Sequence, residues 1–176
     1  MNFLQKTITG VVIAASSILP VEAMSDNFRH HYNLAVAAES LGIDFQLNPP
    51  ACFSKTGPKA YGWYYAAAKQ LVVCQVNAKD SQEVAWTNED LDTLRHEIHH
   101  LVQDCRDNEL DGELHAVYQD IPTLAKEVLG YTTIAQILEA YSDRSDYHKM
   151  MELEAFAVAL MNDPQEQMRD LQTYCF

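Results

Sequence analysis

The chain has 176 residues, with 12 Lys or Arg against 25 Asp or Glu, so its formal net charge is −13 when histidine is neutral. This length suits one domain with a single hydrophobic core. An acidic surface repels phosphates, so we expect no nucleic-acid partner.

The first 23 residues have the regions of a secretory signal peptide. Lys6 supplies a positive charge, residues 8–19 form a short apolar core, and residues 21–23 fit a small-x-small cleavage site. The apolar run is too short for a comfortable membrane span, although an uncleaved anchor is the alternative. We therefore predict a secreted or periplasmic single domain of residues 24–176, without stable membrane association after the signal is removed.

The segment before the central motif predicts a helix, a loop and a β-hairpin. Apolar residues recur at helical spacing over residues 27–41, and Gly42 ends that pattern. Residues 44–58 contain two proline turn signals and predict a loop. Residues 60–76 are rich in aromatic and β-branched residues with a turn-like break near position 68, which predicts two antiparallel strands.

Residues 88–105 are predicted to form one helix. No Gly or Pro interrupts them, and Thr87 can cap the helix, with acidic residues in the first turn. Apolar side chains recur at steps of three and four on one face. His96 and His100 lie on the opposite face, so the helix is expected to bury its apolar face and to turn the two histidines and Glu97 toward a cleft.

The sequence His96-Glu97-Ile98-His99-His100 fits the pattern His-Glu-x-x-His. Two histidines four residues apart stand above one another on a helix, so both imidazoles can bind one zinc ion. Glu97 lies about 100° further round the helix, where it can act on a water bound to the metal. His99 is expected to flank the site or to support a ligand.

A catalytic zinc usually has a third protein ligand and an open position for water. Gln103 and Arg106 stand where a metzincin would have glycine and histidine, which excludes that arrangement. Residues 151–160 have helical spacing, and within them Glu154 is the best candidate. Glu152 is the rival, and only one of the two can face the metal because they differ by about 200° around a helix. The alternative is that both are solvent-exposed charges.

On these residues the chain resembles the gluzincin branch of the zincin metallopeptidases, whose third ligand is a glutamate on a helix after the His-Glu-x-x-His helix. Small residues often follow that glutamate, as in Glu154-Ala155-Phe156-Ala157. The resemblance implies an α+β, mostly helical zincin-like domain with a small antiparallel hairpin or sheet before the active helix. Its edge strand is expected to hold extended substrate.

The resemblance also implies a mechanism. Zn²⁺ is expected to be bound by His96, His100 and Glu154, with Glu97 as the general base in hydrolysis of a peptide or protein substrate. Gln103 and Asp104, about one turn beyond His100, can orient a metal ligand without binding the metal themselves. Four later side chains are candidates for a hydrogen bond to a developing oxyanion, and no spacing rule chooses among them: His115, Tyr141, Tyr147 and His148.

The rest of the chain predicts further helices and two disulfides. Short helices are expected over residues 113–120, 123–129 and 133–141, and another after Pro164. Four cysteines in an exported chain predict two disulfides with three possible pairings. Cys52 with Cys74 would tie the hairpin to the segment before it, and Cys105 with Cys175 would fix the C-terminal tail to the end of the active helix.

Two other classes of function stay open at this point. A zincin-like binding or structural protein would keep the metal ligands but lack a competent open site. A metal-free helical interaction domain would carry the motif by accident. The sequence leaves the oligomeric state open.

Overall fold

A computed structural model describes residues 26–54 and 60–176, and the signal peptide predicted over residues 1–23 lies outside them. The described residues form six α-helices and one three-stranded sheet, which confirms the α+β, mostly helical fold class. The elements in chain order are α1 (Asp26–Ser40), β1 (Asp44–Leu47), β2 (Gly62–Tyr65), β3 (Gln70–Val73), α2 (Asn88–Asp104), α3 (Ile121–Val128), α4 (Gly130–Ala140), α5 (Asp146–Met161) and α6 (Pro164–Tyr174).

The sheet has the strand order β1-β3-β2. Strands β2 and β3 form the predicted antiparallel hairpin. Strand β1 pairs in parallel with β3, although its residues lie in the segment predicted to be a loop. Phe45 and Leu47 of β1 pack against the core. Strand formation there depends on pairing and burial, which a local sequence pattern does not reveal.

Helix α2 forms as predicted because its start is capped twice. The Thr87 hydroxyl accepts a hydrogen bond from the Asp90 backbone N–H, and the Asp90 carboxylate accepts one from the Thr87 N–H. This capping box satisfies two donors that the helix leaves free. Asp90 also accepts a bond from the Val76 N–H at 2.8 Å, so the cap joins the helix to the segment that precedes it.

Buried apolar side chains of the described residues form two hydrophobic clusters. The first joins α1, β3, α2 and α6, and includes Leu34, Leu71, Ile98, Leu101 and Leu171. The second joins α3, α4 and α5, and includes Ile121, Ala125, Ile137, Met151 and Leu153. Because α2 buries its apolar stripe in the first cluster and packs against α5 on another side, its histidines face α5.

Residues 113–120 form an irregular segment instead of the predicted helix. The backbone N–H groups of Val117 and Tyr118 donate to the carboxylate of Glu154, on α5. A helix needs such groups for its own hydrogen bonds or its caps. Helix α3 begins directly after this segment, where the Asp120 side chain accepts a bond from the Thr123 N–H.

Both disulfides have pairings considered from the sequence. Cys52 pairs with Cys74 and Cys105 pairs with Cys175, with Cα atoms 5.4 and 5.1 Å apart. Two disulfides are compatible with an oxidising, extracytoplasmic environment. None of the helices in the described part of the chain combines the length and apolar character that crossing a bilayer requires.

Candidate metal centre

Helices α2 and α5 bring two histidines and one glutamate together. The Nε2 atoms of His96 and His100 lie 3.1 Å apart. Oε2 of Glu152, on α5, lies 3.3 Å from the first nitrogen and 3.5 Å from the second. All three residues are buried, and Glu152 Oε2 makes no hydrogen bond of normal geometry. The three atoms form a compact triangle of potential metal ligands, which we call the ligand triangle.

Glu154, the third ligand expected from the sequence, is not brought to the ligand triangle. Its carboxylate accepts hydrogen bonds from the backbone N–H groups of Val117 and Tyr118 at 2.9 and 2.5 Å. It also accepts one from Gln103 Nε2 at 2.6 Å. Residues two positions apart on a helix point about 200° away from each other. Because α5 turns Glu152 toward the histidines, Glu154 points away from the ligand triangle.

Gln103 connects Glu154 to one of the histidines. Its Oε1 atom lies 2.8 Å from Nδ1 of His100, on the side of the ring away from the ligand triangle. Its Nε2 atom donates to Glu154 and, at 3.1 Å, to the carbonyl oxygen of Met151. The structure therefore places Gln103 where the sequence suggested, in contact with a histidine of the motif.

Two neighbours of the motif hold its surroundings together. His99 is fully buried, and its Nε2 atom lies 3.5 Å from Glu154, so it faces away from the ligand triangle. Asp104 accepts hydrogen bonds from the Tyr64 hydroxyl at 2.5 Å and from the Gly112 N–H at 2.7 Å. Asp104 thus joins strand β2 and the turn at Gly112 to the end of α2.

Glu97 lies beside the ligand triangle. A carboxylate oxygen of Glu97 and one ring nitrogen from each histidine of the pair all lie within 4.8 Å of one another. Its carboxylate accepts a hydrogen bond from the backbone N–H of Tyr64 in β2. Gly62 allows this close approach. A Cβ there would stand 2.7 Å from Thr93 Cγ2 and from the Val72 carbonyl oxygen, and 3.0 Å from Glu97 Oε1.

Two of the four oxyanion candidates contact Glu152. Nε2 of His148, one turn earlier on α5, lies 3.2 Å from Glu152 Oε1. The Tyr141 hydroxyl also hydrogen-bonds this carboxylate. Because Glu152 is contacted by these two side chains as well as by the histidine pair, its position is fixed from several directions.

A cleft of about 660 Å³ opens beside His100 and Glu152. Its walls combine aromatic, apolar and acidic side chains, and the remaining two oxyanion candidates, His115 and Tyr147, line it. The Tyr147 hydroxyl donates to the Leu114 carbonyl. The remaining lining residues are Tyr64, Tyr65, Ala66, Ala67, Asp111, Gly112, Glu113, Leu114, Ser145, His148 and Met151. His100 and Glu152 therefore border a cleft, whereas His96 and Glu97, which were also expected to face one, are not among its lining residues.

Comparison with protein-family models gives a match to a domain of unknown function, DUF8637, over residues 28–176. The chain belongs to the DUF8637 family. Comparisons with curated proteins and with solved structures give no match. The DUF8637 domain includes α2 and α5, so the ligand triangle lies wholly within it.

Burial and mutual contacts shift the charges at this site of the DUF8637 domain. Burial raises the pKa of Glu152, but contacts with His100 and His96 outweigh burial and hold that pKa well below its usual range. Burial lowers the pKa of His100, but Glu152 outweighs it and raises the pKa to about 9. Burial, together with the charge of His100, lowers the pKa of His96 to about 4. Near neutral pH and without a metal, the histidine pair therefore carries one proton more than two neutral imidazoles would.

The pKa of Glu97 moves in the other direction from that of Glu152. Burial raises it to about 7, although the charge of His100 and the hydrogen bond from the Tyr64 N–H act against burial. A carboxylate with a pKa near neutrality can both accept and release a proton at physiological pH.

Sequence reasoning missed the partners of Glu152 in this DUF8637 domain. His148 and Glu152 are four residues apart on one helix face, and this spacing predicts contact between their side chains, although it does not choose between Glu152 and Glu154 as the residue that faces the histidine pair. The contact from Tyr141 had no such signal, because it comes from the end of the preceding helix.

Proposed function

We propose that the chain is a secreted zinc-dependent peptidase of the gluzincin type, with His96, His100 and Glu152 as metal ligands and Glu97 as general base. Glu152 takes the role that the sequence suggested for Glu154. The observation that carries the proposal is the size of the ligand triangle.

The ligand triangle matches the spacing that a tetrahedral zinc ion requires. Zinc bonds of about 2.0–2.2 Å at tetrahedral angles put neighbouring ligand atoms about 3.4 Å apart. The three edges measured here are 3.1, 3.3 and 3.5 Å. An ion bound to these atoms would also be contacted by Glu152 Oε2, a buried atom that makes no hydrogen bond of normal geometry.

The chemistry of the ligand atoms favours zinc over the harder cations. Two imidazole nitrogens and one carboxylate oxygen are a known catalytic zinc set, whereas Ca²⁺ and Mg²⁺ prefer oxygen ligands. Metal-binding side chains usually also contact a neighbouring polar group, and such contacts are present here. Gln103 contacts the outer nitrogen of His100, while His148 and Tyr141 contact the Glu152 carboxylate.

Hydrolysis divides into roles for the metal and for the residues around it. A zinc ion at this position supplies an acidified water and polarises the carbonyl of the substrate. Glu97, within 4.8 Å of the histidine nitrogens, accepts the proton of the attacking water and passes it to the leaving amine.

The surroundings of the site support a peptide substrate outside the cytoplasm. The cleft beside His100 is large enough for several side chains and is lined by tyrosines and by Asp111 and Glu113. Two disulfides are compatible with secretion.

The proposal is tested by cleavage of a fluorescently labelled unfolded protein by the oxidised chain. Zinc-loaded wild type is expected to cleave, and removal of zinc by a chelator is expected to stop cleavage until zinc is returned. Glu97→Gln is expected to bind zinc as wild type does and to lose at least about 100-fold in rate, the scale of a lost general base. Equal cleavage by Glu97→Gln would contradict the assigned base. Zinc binding without cleavage would favour a binding or structural role.

A further inference from the structure

We propose that Glu154 is a positioning residue that fixes the tautomer of His100 through the side-chain amide of Gln103. This inference rests on the zinc site proposed above, and it gives a role to a fully buried carboxylate that does not touch the ligand triangle.

The orientation of the Gln103 amide is set by two groups that can only accept hydrogen bonds. One is the Glu154 carboxylate, 2.6 Å from Gln103 Nε2, and the other is the Met151 carbonyl oxygen, 3.1 Å from it. An amide nitrogen donates two hydrogen bonds and accepts none. The NH₂ group must therefore face these two acceptors, which turns the amide oxygen toward His100.

This orientation decides which nitrogen of His100 carries its proton. Gln103 Oε1 is an acceptor and lies 2.8 Å from His100 Nδ1, so Nδ1 must carry the hydrogen. A neutral imidazole has one N–H and one bare nitrogen. Nε2, which faces the ligand triangle, is then the bare nitrogen, and only that form can bind a metal there.

Glu154 is itself held in place by the irregular segment between α2 and α3. The N–H groups of Val117 and Tyr118 donate to its Oε1 atom, while Gln103 donates to its Oε2 atom. Each oxygen thus has its own donors, and the burial of Glu154 is complete. The same carboxylate therefore anchors the 117–118 backbone and, through Gln103, the histidine.

The first test measures zinc affinity by competition with a chelator. Gln103→Leu removes the amide that links Glu154 to His100, and Glu154→Gln replaces the acceptor that orients this amide. Each variant is therefore expected to raise the dissociation constant for zinc about 10- to 100-fold. The double variant is expected to bind zinc no more weakly than Gln103→Leu alone, because both changes act on the same chain of contacts from Glu154 through Gln103 to His100.

Gln167→Leu is the matched control. Gln167 is also buried and donates to an α2 carbonyl, that of Arg95, and its loss is expected to leave zinc affinity unchanged.

The second test reads the proton directly and needs no metal. Nitrogen-15 NMR of zinc-free protein is recorded above the pKa of His100, which is about 9, so that the ring is neutral. Wild type is expected to carry the proton on Nδ1, and folded Gln103→Leu is expected to move it partly or wholly to Nε2. If Gln103→Leu kept the proton on Nδ1 as wild type does, the inference would be overturned. A wild type that bound no zinc would refute the proposed function but would leave this measurement decisive.

Discussion

Oε2 of Glu152 lies 3.3 Å from Nε2 of His96, and this contact joins α5 to α2 at the border of the cleft. The two residues are 56 positions apart in sequence (152 − 96), and each is buried. The imidazole of His100 lies close to both groups. Three buried groups at this spacing need a shared proton or a shared cation, because their lone pairs repel one another when neither is present.

The shared proton leads to a prediction about pH. Glu152 raises the pKa of His100 to about 9, whereas an ordinary histidine has a pKa of about 6.5. Zinc must displace this proton, so apparent zinc affinity is expected to increase about tenfold per pH unit up to about pH 9 and to level off above it. Chelator competition across this range measures the slope. Affinity that is already constant above about pH 7.5 would show that His100 has an unshifted pKa.

Gly62 is predicted to be required for space rather than for backbone freedom. A methyl group at this position would stand 2.7 Å from Thr93 Cγ2 and from a carbonyl oxygen, close to Glu97. Gly62→Ala is expected to reduce the free energy of unfolding by about 1–3 kcal/mol, measured by urea denaturation.

The companion variant for Gly62 is Thr93→Ser, which removes the crowded methyl group and keeps the hydroxyl that donates to the Glu89 carbonyl. In the Gly62→Ala background it is expected to restore part of the lost stability. Unchanged stability of Gly62→Ala alone would show that β2 does not press against α2 as described.

The two disulfides are predicted to differ in their contribution to stability. Cys52–Cys74 closes 22 residues and Cys105–Cys175 closes 70. The chain-entropy model gives about 3 kcal/mol for the shorter loop and about 4 kcal/mol for the longer one. Replacing both cysteines of a pair by alanine is expected to cost about 1 kcal/mol more for the longer loop. Denaturant unfolding of the two double variants measures the difference, and the reverse order would contradict the model.

Local sequence signals predicted the elements that local chemistry determines. Helix α2 follows from its Thr87 cap and its apolar stripe, and the hairpin follows from its β-branched residues. The irregular segment at 113–120 could not be predicted in this way, because its backbone donors bond to Glu154, more than thirty residues later. Strand β1 likewise depends on its pairing with β3.

The choice between Glu152 and Glu154 was also beyond local signals. Helix α5 is buried on most of its surface from Met151 to Ala159, so it has no polar face from which its rotation can be predicted. Its rotation is set by packing against α2 and α3. The candidate metal site was therefore predictable to the level of its helices and its histidines, while the contact of Glu152 with those histidines required the tertiary structure.

The most direct test of the proposed metal centre is the zinc content of the purified, oxidised protein, determined by elemental analysis after equilibration with zinc. Wild type is predicted to hold about one zinc per chain, as one catalytic site requires. Glu152→Ala is predicted to lose it. Glu127→Ala is the control, since Glu127 is exposed on α3, and it is predicted to retain the zinc. Zinc retained by Glu152→Ala but lost by Glu154→Ala, or wild type without zinc, would contradict the proposed site.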